Sequence, residues 1–166
     1  MRLEPPYKDW KTVRSFPFGE VLYDLDISPD GKLLSMSFGE MNGNQSVRVL
    51  RIASLLDGDV KTVSRFNFGT AVPESFVFSP DGKYLYGSSY YTGVSNIFRY
   101  EVATGEIEAM SNAETGFFRP LPQADGSLLV LRYTGDGFIP ARIEPRPLED
   151  LSAVTFLGAE IVEKYP

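Results

Sequence analysis

The 166-residue sequence contains neither cysteine nor histidine. Without cysteine there is no disulfide, no thiolate nucleophile and no thiolate metal ligand. Without histidine there is no Ser-His-Asp or Cys-His relay and no ordinary zinc site. The compartment stays open, because a β-protein with a full core can stand in an oxidising space without bridges. Positive charge is also scarce: 16 Lys and Arg against 22 Asp and Glu leave a net charge of −6. The basic residues form no run, so nothing here resembles a phosphate footprint, and neither nucleic acid nor an anionic membrane is expected as a partner. No apolar run approaches the ~18–20 residues that a bilayer span requires, so membrane insertion is not expected. The opening "MRLEPPYKDW" has no apolar segment of the kind that marks a secretion signal.

Helical periodicity is missing as well, since no window before residue 148 carries an apolar stripe at helical spacing. What the chain does have is aromatic residues, 12 Phe and 9 Tyr, which favour strands. It also repeats itself. "KTVRSFPFG" at 11–19 returns as "KTVSRFNFG" at 61–69, and each copy leads to a second shared phrase, "ISPDGKLL" and then "FSPDGKYL". A third, worn copy places Asp125-Gly126 44 residues after Asp81-Gly82. In each S-P-D-G, proline presets φ for a turn, aspartate suits the next position, and glycine takes the positive φ that returns the chain. Pro29, Asp30 and Gly31 do this first, and Pro80, Asp81 and Gly82 repeat it. "ATGE" at 103–106 is a further turn, with Thr104 beside Gly105 as its left-handed residue.

Around these turns the pattern alternates with period two. In "SNIFRYEV", Ile97, Tyr100 and Val102 are apolar or amphipathic while Arg99 and Glu101 are charged; "SVRVLRIA" is apolar on both faces in part. A unit of about 45–50 residues holding four antiparallel strands is a β-propeller blade. The expected fold class is therefore all-β, an incomplete β-propeller of four-stranded antiparallel blades, about three blades plus one outer strand. The expected boundaries place the partial propeller at 10–143, with blades near 20–66, 74–110 and 117–143. Residues 10–16 are expected to be the outer strand of a missing blade. Residues 144–166 are expected to be a C-terminal extension or linker, either a short helix or an irregular exit. An open array leaves an apolar blade face in water. The chain is thus expected to belong to a longer propeller or to be completed by other copies, a homo-oligomer.

"SPDGKYLYGSSYYTGVSNIFRYEVATGE" (79–106) resembles the TolB-like, or PD40, family of WD40-like propellers. Phe78 to Lys83, Leu85, Ile97, Phe98, Glu101, Thr104 and Gly105 match its blade pattern; the first unit matches through Ser28 to Lys32 and Leu34. The resemblance implies a bacterial interaction domain, periplasmic or otherwise associated with the cell envelope. It implies a non-catalytic scaffold for protein partners: remaining propeller blades, another copy, or an envelope protein. The alternative it implies is the substrate-gating propeller of an S9-type serine peptidase.

Propeller topology gathers the second-to-third-strand loops and the connectors between blades on one face. That face is expected to carry partner-binding loops, with Glu40, Tyr90, Tyr91, Asp136 and Phe138 as candidates; the aromatic ones either anchor a partner or pack between blades. Asp24 and Asp26 flank Leu25 and lie either as channel-lining carboxylates for a cation or as solvated, turn-capping side chains; Phe76 and Phe78 stand at the equivalent positions of blade two. "TGDG" at 134–137 could be a cation loop but is explained by a five-residue hairpin loop. Glu40, Glu114 and Asp136 could supply an acid and a base, a reading outweighed by the ordinary presence of carboxylates on loop tips. Arg119, Arg142 and Arg146 are candidates to pair with acidic neighbours across blades. No catalytic residue, metal site or cofactor is expected.

Overall fold

A computed structural model describes residues 12–148. Within it, the S-P-D-G phrase is a closed hydrogen-bonded unit rather than a bare chain reversal. In the first copy the Gly31 N–H donates to Ser28 O at 2.8 Å, and Gly31 has φ +72°. The Ser28 hydroxyl donates to Asp30 Oδ1 at 2.7 Å and accepts from the Leu33 N–H at 2.9 Å. In the second copy Ser79 does the same with Asp81 and Tyr84, at 2.6 and 3.0 Å. The worn third copy keeps the logic with altered parts: Asp125 Oδ1 accepts from both the N–H and the hydroxyl of Ser127. The serine is therefore as necessary to the turn as the proline and glycine that announce it.

A common electrostatic signature follows. Hydrogen bonds from the serine hydroxyl and from a backbone N–H hold the carboxyls of Asp30, Asp81 and Asp125 below the usual carboxylate range. A depressed folded-state pKa stabilises the fold above the unfolded value of about 4 and loses that contribution as pH falls through the folded values. Ser79→Ala should cost about 1–2 kcal/mol at neutral pH. It should also leave stability less sensitive to acid below pH ~4; urea titrations at neutral and acidic pH check both.

Each turn joins the first two strands of a sheet. Blade one contains β1 (Val21–Ile27), β2 (Leu33–Gly39), β3 (Gln45–Arg51) and, after a one-turn helix α1 (Ile52–Leu56), β4 (Thr62–Asn67). Blade two contains β5 (Pro73–Phe78), β6 (Tyr84–Ser89), β7 (Asn96–Glu101) and β8 (Ile107–Ala109). Blade three contains β9 (Phe117–Pro122), β10 (Leu128–Thr134) and β11 (Gly137–Ile143). The sheets run β1-β2-β3-β4, β5-β6-β7-β8 and β9-β10-β11, every pairing antiparallel. The architecture is an incomplete β-propeller. Helix α1 escapes a reading by periodicity because it buries no side chain and so needs no apolar stripe.

The sheets stack face to face. Between blades one and two lie Val47, Val49, Phe68, Phe76, Phe78, Leu85, Phe98 and Tyr100, all buried. Burial pushes the Tyr100 phenol up to about 12. Between blades two and three lie Ile97, Met110, Leu128 and Val130, with Tyr86, Phe117, Ala141 and Ile143 against them. Polar threads cross the first joint: the Ser64 hydroxyl donates to Val102 O at 2.6 Å, and Gly105 lies where a Cβ would meet Arg65 O at 3.1 Å.

Two segments lie outside the three sheets. Residues 12–17 form no strand; Phe16 instead packs on Phe38 at 5.5 Å, so their assignment to another blade stays a proposal. After β11 the chain returns to the edge of blade two, where the Leu148 N–H donates to Ala109 O and the Arg146 N–H to Met110 O. The rest of the expected extension, 149–166, lies outside the described residues, as do residues 1–11.

Candidate interaction surface

Every inner strand carries a bulge at the same place, marked by a non-glycine residue with positive φ: Asp24 (50°), Ser75 (54°) and Arg119 (50°). Such residues are strained, and an N–H released from the ladder needs another acceptor. At the first joint Asp24 Oδ2 accepts from the Ser75 N–H and Asp26 Oδ2 accepts from the Phe78 N–H, each at 2.8 Å. These carboxylates are therefore clasps between blades rather than idle solvated groups. Among the described residues no group of three potential metal ligands forms. Their true equivalents in blade two are Ser75 and Val77, because Asp26 opposes Ser35 as Val77 opposes Tyr86; reading Phe76 and Phe78 there slips by one residue and exchanges the faces. Asp26→Ala should cost about 1–3 kcal/mol by stranding the Phe78 N–H, whereas Asp26→Asn retains an acceptor and should lose less; urea unfolding of the pair decides.

Glu40 is not free for a partner. Its Oε1 accepts from Arg48 at 2.7 Å and from Arg65 at 2.8 Å, tying β3 to β4, while the Arg48 guanidinium lies 3.8 Å above the Phe38 ring. Desolvation, and then Arg65, lower the Arg48 pKa, and Glu40 opposes the shift. Of the three candidate arginines, Arg142 pairs within blade three rather than across blades, reaching Asp125 at 2.7 Å and Glu144 at 3.9 Å. Asp136 sits on a hairpin whose flanking residues Thr134 and Gly137 are paired; its loop is two residues, not five, and needs no cation.

Tyr91 packs between blades, its ring 5.5 Å from Phe68 and 6.2 Å from Phe98, yet keeps 46% of its surface exposed. Tyr90 and Phe138 come together through Phe118, and Tyr133 extends the row; the sequence reading singled out neither of these two. Tyr90 meets Phe118 at 6.0 Å, Phe118 meets Phe138 at 5.3 Å, and Phe138 meets Tyr133 at 5.3 Å. Tyr133 and Phe138 are cross-strand partners, so the row continues down the outer face of blade three, where Leu121 and Leu129 are paired and exposed. Alternation in "LLVLRYT" could have revealed this: Leu128 and Val130 face blade two, leaving Leu129, Leu131 and Tyr133 on the opposite side.

Three stacked antiparallel sheets, each with a tight turn between its first two strands, form an incomplete β-propeller that exposes an aromatic row at the loop end of blade three. Solved structures place the likeness more narrowly. The chain is similar to a putative TolB from Agrobacterium tumefaciens (TM-score 0.56, 24% identity, covering 70% of this chain and 40% of that one). It is similar to TolB from Acinetobacter baumannii (TM-score 0.58, 21% identity, 84% and 36% covered). A puromycin hydrolase matches equally well (TM-score 0.58, 19% identity, 75% and 20% covered). The likeness is one of fold, the propeller fold that the S-P-D-G pattern resembles, and the chain spans well under half the length of each of these proteins. Neither a protein-family model nor a curated protein matches the sequence.

Proposed function

We propose that this chain is a non-catalytic β-propeller segment that binds protein, a scaffold within a bacterial envelope-associated polypeptide. The carrying observation is the continuous apolar surface of Tyr90, Phe118, Tyr133, Phe138, Leu121 and Leu129, of which Phe138 and Leu121 are each 56% exposed. Aromatic residues of this kind anchor protein interfaces because one ring covers much surface at low entropic cost. A periplasmic location is supported by the TolB resemblance, and no helix among the described residues is long and apolar enough to cross a membrane. A photo-crosslinking amino acid at position 138, compared with one at the exposed Leu56 on α1 as control, tests the reading in cells. Polypeptide adducts from 138 alone support it; equal labelling from both positions, or none, overturns it.

The equal match to a puromycin hydrolase supports a second reading, the substrate-gating propeller of a serine peptidase. A G-x-S-x-G hydrolase segment in the same reading frame would establish that reading in place of the first.

A further inference from the structure

We propose that the turn end of the joint between blades two and three takes an arginine side chain of a partner polypeptide. Its guanidinium lies against Tyr84 and Tyr86, with the Asp81 carboxylate as counter-charge. The site is at the other end of β6 from Tyr90 and the aromatic row. It adds a second contact surface to the protein-binding reading and does not depend on it.

The two joints differ at their turn ends, and the sequence shows why. At the first joint the S-P-D-G turns of blades one and two touch: a Cβ on Gly82 would stand 3.5 Å from Pro29 Cδ. Leu33 opens β2 there, and the Ser35 hydroxyl reaches Phe76 O across the joint at 3.4 Å. Tyr84 opens β6 in the same way, and Tyr86 opposes Val77 as Ser35 opposes Asp26. Two phenol rings thus replace an isobutyl and a hydroxymethyl group, and close-packed blades cannot approach as far over them. The turns of blades two and three accordingly stand apart: a Cβ on Gly126, the equivalent of Gly82, would meet nothing within 4 Å. Between them lies a groove of about 250 Å³ lined by Pro80, Asp81, Tyr84, Tyr86, Pro122 and Gln123. That is room for one side chain rather than for a drug-sized molecule. Both walls belong to blades docked on each other, so the groove is complete within the described residues.

Charge selects the occupant. Each blade carries a turn aspartate, and two of the three are matched: Lys32 reaches Asp30 at 3.4 Å and Arg142 reaches Asp125 at 2.7 Å. Asp81 has no lysine or arginine nitrogen within 4.0 Å among the described residues. Its Oδ1 is taken by the Ser79 hydroxyl at 2.6 Å and the Lys83 N–H at 3.1 Å, and its Oδ2 has no hydrogen bond among the described residues. The tyrosines suit the same ligand, because a guanidinium lies flat on an aromatic ring. Tyr84 already meets one guanidinium in this way, with Arg99 Cζ 4.7 Å from its ring centroid. That cation is answered by Glu108, which accepts from Arg99 Nε at 3.0 Å, so it leaves Asp81 unmatched. Arginine fits better than lysine, since its planar fork can stack on a ring while it donates to a carboxylate. The net charge of −6 draws a basic segment toward the chain from a distance.

The test is an amide-detected NMR titration of the 166-residue chain with a blocked Gly-Arg-Gly peptide. The control is the same peptide with neutral citrulline in place of arginine. Shifts are expected at residues 79–86 and 123–128, from the arginine peptide alone. Asp81→Asn, which keeps an acceptor for the turn, should weaken binding about tenfold, the scale of one charge-assisted hydrogen bond. Tyr84→Leu, which copies Leu33 of blade one, should weaken it too, and serves in place of Asp81→Asn if that variant unfolds. Equal shifts from the two peptides, no shift at any concentration, or unchanged affinity in both variants overturns the proposal. Shifts confined to Tyr90, Phe118 and Phe138 would sink this site and leave the protein-binding reading of the aromatic row standing.

Discussion

Replacing Phe68 by Ala should lower the free energy of unfolding by about 3–5 kcal/mol, the range for a buried aromatic truncated in a core that cannot collapse around the loss. Phe68 lies at the centre of the first joint, with Phe66 at 4.9 Å, Tyr91 at 5.5 Å, Phe76 at 5.6 Å and Phe98 at 6.0 Å. Its neighbours belong to both sheets, so neither blade can move into the cavity without pulling away from its own ladder. Phe18→Ala is the internal control: the same residue in the same phrase, 98% exposed. Its cost should stay within about 0.5 kcal/mol. Equilibrium urea unfolding of both variants decides the matter. Equal losses would mean that residues 12–19 are as deeply packed as 62–69 and that the asymmetry between the copies is wrong. A joint failure also differs from a failure of one blade. If the blades unfold together, one transition moves; if Phe68→Ala uncouples them, the transition broadens and its slope with denaturant falls.

The sheets were legible because the same chemistry recurs. Leu33–Gly39 and Tyr84–Ser89 follow the two S-P-D-G turns and Leu128–Thr134 follows the worn third turn, since such a turn fixes where the next strand must begin and alternation fixes which face it buries. The joints between blades were less legible, because they depend on register. A slip of one residue at the bulge sends a side chain to the opposite face, and the bulge is held by Asp24, Ser75 and Arg119, residues that share no chemical type. Pattern could not show that Asp24 and Asp26 clasp β5, because their acceptor role exists only after the next blade has docked. Tyr90 and Phe138 drew notice as aromatic residues at or beside expected loops. Alternation marks Phe118 and Tyr133 as ordinary strand residues, and only their ring contacts with Tyr90 and Phe138 set them apart. Glu40 looked free for the converse reason: Arg65, one of its two cations, lies 25 residues away and reaches it only across the β3–β4 pairing.

Gly87 is the other position at which a small change should have a large effect. It lies mid-strand in β6, buried, at a backbone conformation open to any residue, so neither turn geometry nor positive φ accounts for it. Space accounts for it: a Cβ built there would overlap the Phe76 ring. The equivalent positions in blades one and three carry Met36 and Val130, both buried, so the strand tolerates side chains where the neighbouring inner strand leaves room. In blade two that room is occupied by the ring that joins the Phe68 cluster. Gly87→Ala should therefore destabilise by about 1–3 kcal/mol through overpacking, although alanine in a strand interior ordinarily gains over glycine. The cause can be isolated, because shortening the ring should relieve the overlap. Phe76→Leu alone loses packing, but Gly87→Ala added to it should cost far less than in the wild-type background. A double-mutant cycle by urea unfolding measures that coupling, expected at about 1 kcal/mol or more. Additive losses would mean that the glycine serves the backbone of β6 rather than the Phe76 ring, and that the joint is packed less closely than these neighbours imply.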